Sequence, residues 1–153
     1  MSVELRKAGL HLSGTELWFD ANRKSDLSFV SHAHADHIAR HARVIATAAT
    51  LRLMQHRLGK LHGALPVPYR RPFDLGRLVL ELLPAGHVLG SAQLRVIRED
   101  GTRIVYTGDI NFTNALTAEP AEIADCDVLV IESTFGHPRY VFPPRAELFD
   151  RLA

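Results

Sequence analysis

The chain has a single cysteine, Cys126, which excludes an internal disulfide and any cysteine-built zinc cluster. The lack of disulfides fits a reducing compartment. No apolar run approaches the ~20 residues of a membrane span. The segment Met1 to Leu12 carries Glu4, Arg6 and Lys7 among its apolar positions and lacks a signal-peptide core. A cytoplasmic protein with no membrane partner is therefore the expectation. Neither sign of charge is in excess: 18 Lys and Arg against 17 Asp and Glu leave +1. That balance neither demands nor excludes a nucleic-acid partner. Repeats and low-complexity segments are also missing. A chain of 153 residues, 46% hydrophobic and 23% charged, suits one globular domain.

Histidine is what the chain has in plenty: nine residues, four of them between His32 and His41. Around that cluster, short β-rich runs recur at Leu10–Leu12, Leu17–Asp20, Leu27–Ser31, Val44–Ala46, Leu78–Pro84, Ala92–Ile97, Arg103–Thr107 and Val128–Glu132. The continuous runs Ile104-Val105-Tyr106 and Val128-Leu129-Val130-Ile131 predict strands buried on both faces. Glu99-Asp100-Gly101-Thr102 predicts a hairpin turn. Leu51, Met54 and Leu58 have helical spacing, so Ala48–Leu58 is read as a helix capped by Thr47 or Thr50. Ala118–Ala124 is read as a short helix with Pro120 near its start. Pro143 to Phe149 reads as a helix just beginning, and Gly59 to Pro72 as an irregular surface loop. The fold class expected from the residues alone is mixed α/β.

The chemistry concentrates after the run Leu27–Ser31. His32, His34, Asp36 and His37 offer four metal-binding side chains within six positions. Imidazole suits zinc, and carboxylate suits zinc or a harder ion. One metal does not easily take all four from so tight a loop, so His32 and His34 are assigned to one ion and Asp36 and His37 to another. Two more strand ends offer partners: His87 in the glycine-flanked turn Gly86-His87-Val88-Leu89-Gly90, and Asp109 in Thr107-Gly108-Asp109. A carboxylate has two oxygens, so Asp109 suits a bridge between cations. His11, His41, His56, His62 and His137 are read as surface or structural residues.

The order H-x-H-x-D-H, then G-H in a glycine-rich turn, then T-G-D after a strand resembles the metallo-β-lactamase superfamily. Glu132-Ser133-Thr134-Phe135-Gly136 and Gly86-His87-Val88-Leu89-Gly90-Ser91-Ala92 are similar to motifs of its β-CASP nuclease branch. Within that branch the likeness is to mRNA 3′-end processing factors and ligase-associated DNA exonucleases, and Phe135 to Pro144 supports it. The resemblance implies an αββα sandwich of which this chain is the N-terminal portion. Residues 1–136 would form the metal-binding domain and residues 137–153 the start of an inserted cap. The rest of the cap, and a later return that supplies a last metal-binding histidine, would lie beyond the chain.

The resemblance further implies two divalent ions, zinc first and manganese as rival. His32, His34 and His87 would hold one ion, Asp36 and His37 the other, and Asp109 would bridge them. Asp20 would support the metal loop from behind, and the catalytic carboxylates would be Asp36, Asp109 and Glu132, with Glu132 orienting a ligand or the site's hydrogen bonds rather than attacking. The implied reaction is hydrolysis of a phosphodiester by a hydroxide held between the ions, in an exonuclease acting on RNA or single-stranded DNA. The first ion should bind better than the second, and these 153 residues alone should show little or no cleavage. Two alternatives are a thioester or small-ester hydrolase of the same superfamily, and a non-catalytic fragment that pairs as a homodimer.

Overall fold

The computed structural model describes residues 3–113 and 115–152, without the side chains of Arg145, Ala146 and Leu152. Two sheets face each other. The first runs β1 (Val3–Arg6), β2 (Gly9–Leu12), β3 (Leu17–Phe19), β4 (Leu27–Phe29), β5 (Arg43–Ala46) and β6 (Ala64–Pro66) in that order. Its β1–β2–β3 portion is antiparallel and its β3–β4–β5–β6 portion parallel. The second runs β11 (Val128–Val130), β10 (Arg103–Tyr106), β9 (Ala92–Ile97), β8 (Leu78–Pro84) and β7 (Phe73–Leu75), antiparallel except for the β10–β11 pair. A mixed α/β fold of two sheets and few helices is thus what the residues build.

Side chains alternate between strand faces, and β5 shows what this achieves. Ile45 points into the layer between the sheets, joining Phe19, Phe29, Leu80, Leu82, Leu94 and Val96. Val44 and Ala46 point outward, where Leu51 and Met54 of α1 (Ala48–Leu58) cover them. Thr47 rather than Thr50 caps α1, its side-chain oxygen accepting from the Thr50 N–H at 3.2 Å. Phe29 is fully buried in the layer between the sheets. Phe29→Ala should therefore destabilise the fold by about 3–5 kcal/mol in denaturant unfolding, and a loss under about 1 kcal/mol would place the core elsewhere.

Several expectations need correction. Ala118–Ala124 is not a helix. Its backbone is spent on neighbours: the Glu122 N–H donates to the Pro84 carbonyl, the Glu122 carbonyl accepts from Gln93 Nε2, and Arg70 clamps Glu119 and Glu122. The stretch Gly59 to Pro72 is not wholly irregular, because β6 lies within it and pairs in parallel with β5. Strands β1 and β7 were not expected either. Finally, the β-branched run at Val128 is not buried on both faces. Val128, Leu129 and Ile131 are 41%, 53% and 53% exposed, and β11 is an edge strand with β10 as its one partner among the described residues. The Glu99–Thr102 turn forms as expected, with the Gly101 N–H donating to the Arg98 carbonyl. A helix does begin after Pro143-Pro144, as α2 (Arg145–Leu152), and its described side chains are exposed.

Candidate metal centre

β3 and β4 run in parallel, and β8, β10 and β11 share one direction within their own sheet. The chain leaving the ends of these strands carries Asp20, His32, His87, Asp109 and Glu132, so the topology gathers residues far apart in sequence. Such a crevice beyond the strand ends is where open α/β sheets commonly place ligands.

Two glycines let the turns close. Gly108 has φ +55°, and a Cβ there would sit 2.5 Å from the Ser31 Cβ. Gly86 has φ +73°, and its Cβ would meet the Asn111 carbonyl oxygen at 2.0 Å. The left-handed backbone and these approaches both require glycine. The Asn111 N–H donates to the Ala85 carbonyl at 2.8 Å, which ties the Asp109 loop to the His87 turn. Ser91 Oγ accepts the His87 and Val88 N–H groups, at 3.0 and 3.1 Å.

One donor atom from each of His32, His34, His87 and Asp109 lies within 4.8 Å of the other three. His34 Nδ1 is 2.8 Å from His32 Nε2 and 3.3 Å from His87 Nε2. Asp109 divides its oxygens: Oδ2 lies 3.7 Å from His32 Nε2 and 3.5 Å from His87 Nε2, while Oδ1 lies 3.5 Å from His37 Nε2. His37 Nε2 is also 3.6 Å from Asp36 Oδ2, on a side chain that is 81% exposed. The expected residues thus come together, as a tight group of four and a looser flank formed by Asp36 and His37.

Behind them, Asp20 organises the loop. Its Oδ1 accepts the Ser31 N–H at 2.6 Å. Its Oδ2 accepts Ser31 Oγ at 2.5 Å and Tyr106 OH at 2.8 Å, and lies 2.9 Å from His37 Nδ1. A carboxylate oxygen accepts, so His37 carries a proton on Nδ1 and points Nε2 toward Asp36 and Asp109. The same logic reaches His32. The one hydroxyl proton of Ser31 goes to Asp20, so Ser31 Oγ accepts from His32 Nδ1 at 3.0 Å. The bare Nε2 of His32 then faces the group of four.

Burial and neighbouring charges act differently on each titrating group of the centre. His32 is fully buried, and burial first, then its His37, His34 and His87 neighbours, push its pKa down to about 2. It is neutral at physiological pH, the form that ligates metals. Burial also lowers His87, partly offset by Asp109. Burial alone would lower His37, but the Asp20 hydrogen bond and charge, with Asp109 and Asp36, raise it. Burial and the adjacent Asp20 charge raise the Tyr106 phenol, which stays a proton donor. Three imidazole nitrogens and a carboxylate oxygen converging at this range form a donor set that suits a divalent cation.

Glu132 stands apart from the group. Its oxygens accept the Ile110 and Thr134 N–H groups, at 3.2 and 3.1 Å. Burial would raise its pKa, but Thr134, Ile110 and His87 hold it low. It secures the residue next to Asp109. Among the histidines read as surface or structural, His11 and His41 are buried. His11 Nε2 lies 2.9 Å from the Thr15 carbonyl oxygen, and His41 Nδ1 lies 2.8 Å from Ser25 Oγ.

Tyr106 and Ser31 had no role assigned from sequence. The available signal was position: each lies one to three residues before a ligand candidate, at the end of a buried strand. Tyr106→Phe should cost about 1 kcal/mol of stability and weaken metal binding, measured by unfolding and chelator competition. Unchanged metal affinity would show that the phenol positions nothing.

The family model described as the Beta-lactamase superfamily domain matches residues 19–146. A probable DNA ligase of Opitutus terrae is 36% identical over 146 residues, covering 95% of this chain and 14% of that protein. RNase aCSPSF2 of Saccharolobus solfataricus is 34% identical over 143 residues, covering 71% and 29%. The 5′ exonuclease Apollo of Gallus gallus is 30% identical over 133 residues, covering 78% and 28%. The chain thus spans less than a third of the length of each of these relatives. The matched region takes in Asp20 and runs past Glu132, so it contains every residue of the centre, and the chain belongs to the β-lactamase superfamily.

Proposed function

We propose that this chain carries the metal centre of a phosphodiesterase acting on nucleic acid, an exonuclease of the β-CASP type on RNA or single-stranded DNA, at work in the cytoplasm. The observation that carries this reading is the division of Asp109, with one oxygen toward His32 and His87 and the other toward His37. Relatives named as an RNase and a 5′ exonuclease support the substrate class. His32, His34, His87 and Asp109 would hold one divalent ion, and Asp36, His37 and Asp109 a second. Zinc is the first expectation and manganese the second. Such ions supply Lewis acidity toward a phosphoryl oxygen and acidify water.

The protein's own part is positional. Asp20 and Ser31 orient His37 and His32, and Glu132 fixes the backbone beside Asp109. Residues 1–136 form the metal-binding unit in this reading, and residues 137–153 enter a cap. Asp36 is the most exposed member, so the second ion should bind more weakly than the first.

The test combines metal titration with hydrolysis. Expected are one tight and one weak ion per chain, and cleavage of single-stranded oligonucleotides that chelator removes, in the longest open frame containing this sequence. Two equally tight ions would refute the ranking. Turnover of thioesters with no cleavage of any oligonucleotide would overturn the substrate class.

A further inference from the structure

Between Asp36 and Asp74 the chain contains no acidic residue and seven of its 18 lysines and arginines. The near-zero net charge hides this segregation. Arg43 pairs with Glu16, and Arg70 with Glu119 and Glu122. Arg40, Arg52, Arg57, Lys60 and Arg71 are exposed and have no carboxylate partner among the described residues. Three of these five lie on or just after α1, a helix with no acidic residue and about 16 Å long at 1.5 Å per residue.

α1 buries Thr50, Leu51 and Met54, which turns Arg52, Leu53, His56 and Arg57 to solvent. Leu53 and Arg57 are one turn apart and share a face. Leu53 and Arg57 line a cavity of about 280 Å³ together with His34, Val88 and Leu89. His34 belongs to the metal centre, so the basic helix and the centre open into the same cavity. A second cavity of about 550 Å³ shares Leu89 and Thr117 with the first and continues to Tyr69 and Arg70.

We propose that the exposed face of α1 and the cavity beside His34 form a phosphate track for single-stranded nucleic acid. Arg57 holds the phosphate next to the one at the metal centre, and Arg52 and Lys60 take phosphates further along. The proposal rests on the function proposed above. Several unpaired cations spread along one helix and its C-terminal end suit a polyanion rather than a single small anion. Leu53, Val88 and Leu89 offer apolar walls to a base or sugar beside the charged head of Arg57.

The experiment measures binding of a fluorescein-labelled 12-nucleotide single strand to the metal-loaded chain by anisotropy, across a salt series. Arg57→Ala should weaken binding by about threefold or more and lower the slope of log affinity against log salt by about 0.7, the value for one lost phosphate contact on a single strand. The pair Arg52→Ala and Lys60→Ala should lower it by about twice as much. Arg77→Ala should change nothing, because Arg77 lies in the β7–β8 turn, away from the centre, and faces Glu99. A parent chain that binds while Arg57→Ala and the Arg52/Lys60 pair match it overturns the track and leaves the phosphodiesterase reading intact. Absence of binding by the parent at low salt, with metal bound, overturns both.

Discussion

Asp109→Ala should remove the metal centre as a working unit. Asp109 is the residue whose two oxygens face both groups of histidines, and its removal leaves His32, His34 and His87 without a counter-charge. A ligand that cancels charge contributes more than a residue that merely orients one, and orienting residues alone are worth 10–100-fold in affinity. The tight ion should therefore weaken by more than about 100-fold in chelator competition. Metal-dependent cleavage by the assembled enzyme should fall on the order of 10³-fold, corresponding to several kcal/mol of lost charge stabilisation at tenfold per 1.36 kcal/mol. Asp109→Ala with the parent's metal affinity would show that the histidines alone define the site and that no bridge exists.

Asp20→Ala should be the most damaging change that touches no proposed ligand atom. It strands the Ser31 N–H, the Ser31 hydroxyl, the Tyr106 hydroxyl and the His37 Nδ1–H together. Asp20 is buried, so water does not simply replace the carboxylate. Removing one partner of such a buried charged pair costs about 3–5 kcal/mol. Metal affinity should drop 10–100-fold as the His37 and His32 tautomers lose their reference. Asp20→Asn keeps the shape and separates the two effects, because the amide still accepts through one oxygen but offers N–H to groups that are already donors. Stability within about 1 kcal/mol of the parent for Asp20→Ala would mean that the network is slack and that the loop holds itself.

Much of the centre was legible along the chain, for a local reason. His32, His34, Asp36 and His37 sit within six residues, and His87 and Asp109 each follow a strand through a glycine turn. Strand periodicity and glycine placement are local signals, so β8, β9, β10 and α1 were legible to within a residue or two. The errors share a cause as well. Ala118–Ala124 has helix-forming residues, yet Pro84, Gln93 and Arg70 take its backbone and side-chain hydrogen bonds. The run at Val128 is apolar enough for a sheet interior, yet its place at the edge depends on which strands pair. β6 is too short for its pattern to stand out, and only β5 beside it makes it a strand. The acid-free stretch between Asp36 and Asp74 was open to view, but whole-chain charge concealed it.

The kinds of donor, their strand-end positions and the need for glycine at 86 and 108 follow from residue chemistry, which acts over a few positions. Pairing of Asp109 with both histidine groups, the four donors on Asp20, the role of Tyr106 and the opening of Arg57 onto the cavity of His34 do not. Those depend on which strands pair within a sheet, as β3 with β4 for Asp20 and Ser31, and on how two sheets are laid face to face, as for Tyr106 and Asp109, because each joins residues separated by between 11 and 86 positions. Hydrogen bonds of that reach are set by packing of the apolar layer between the sheets, not by any pattern along the chain.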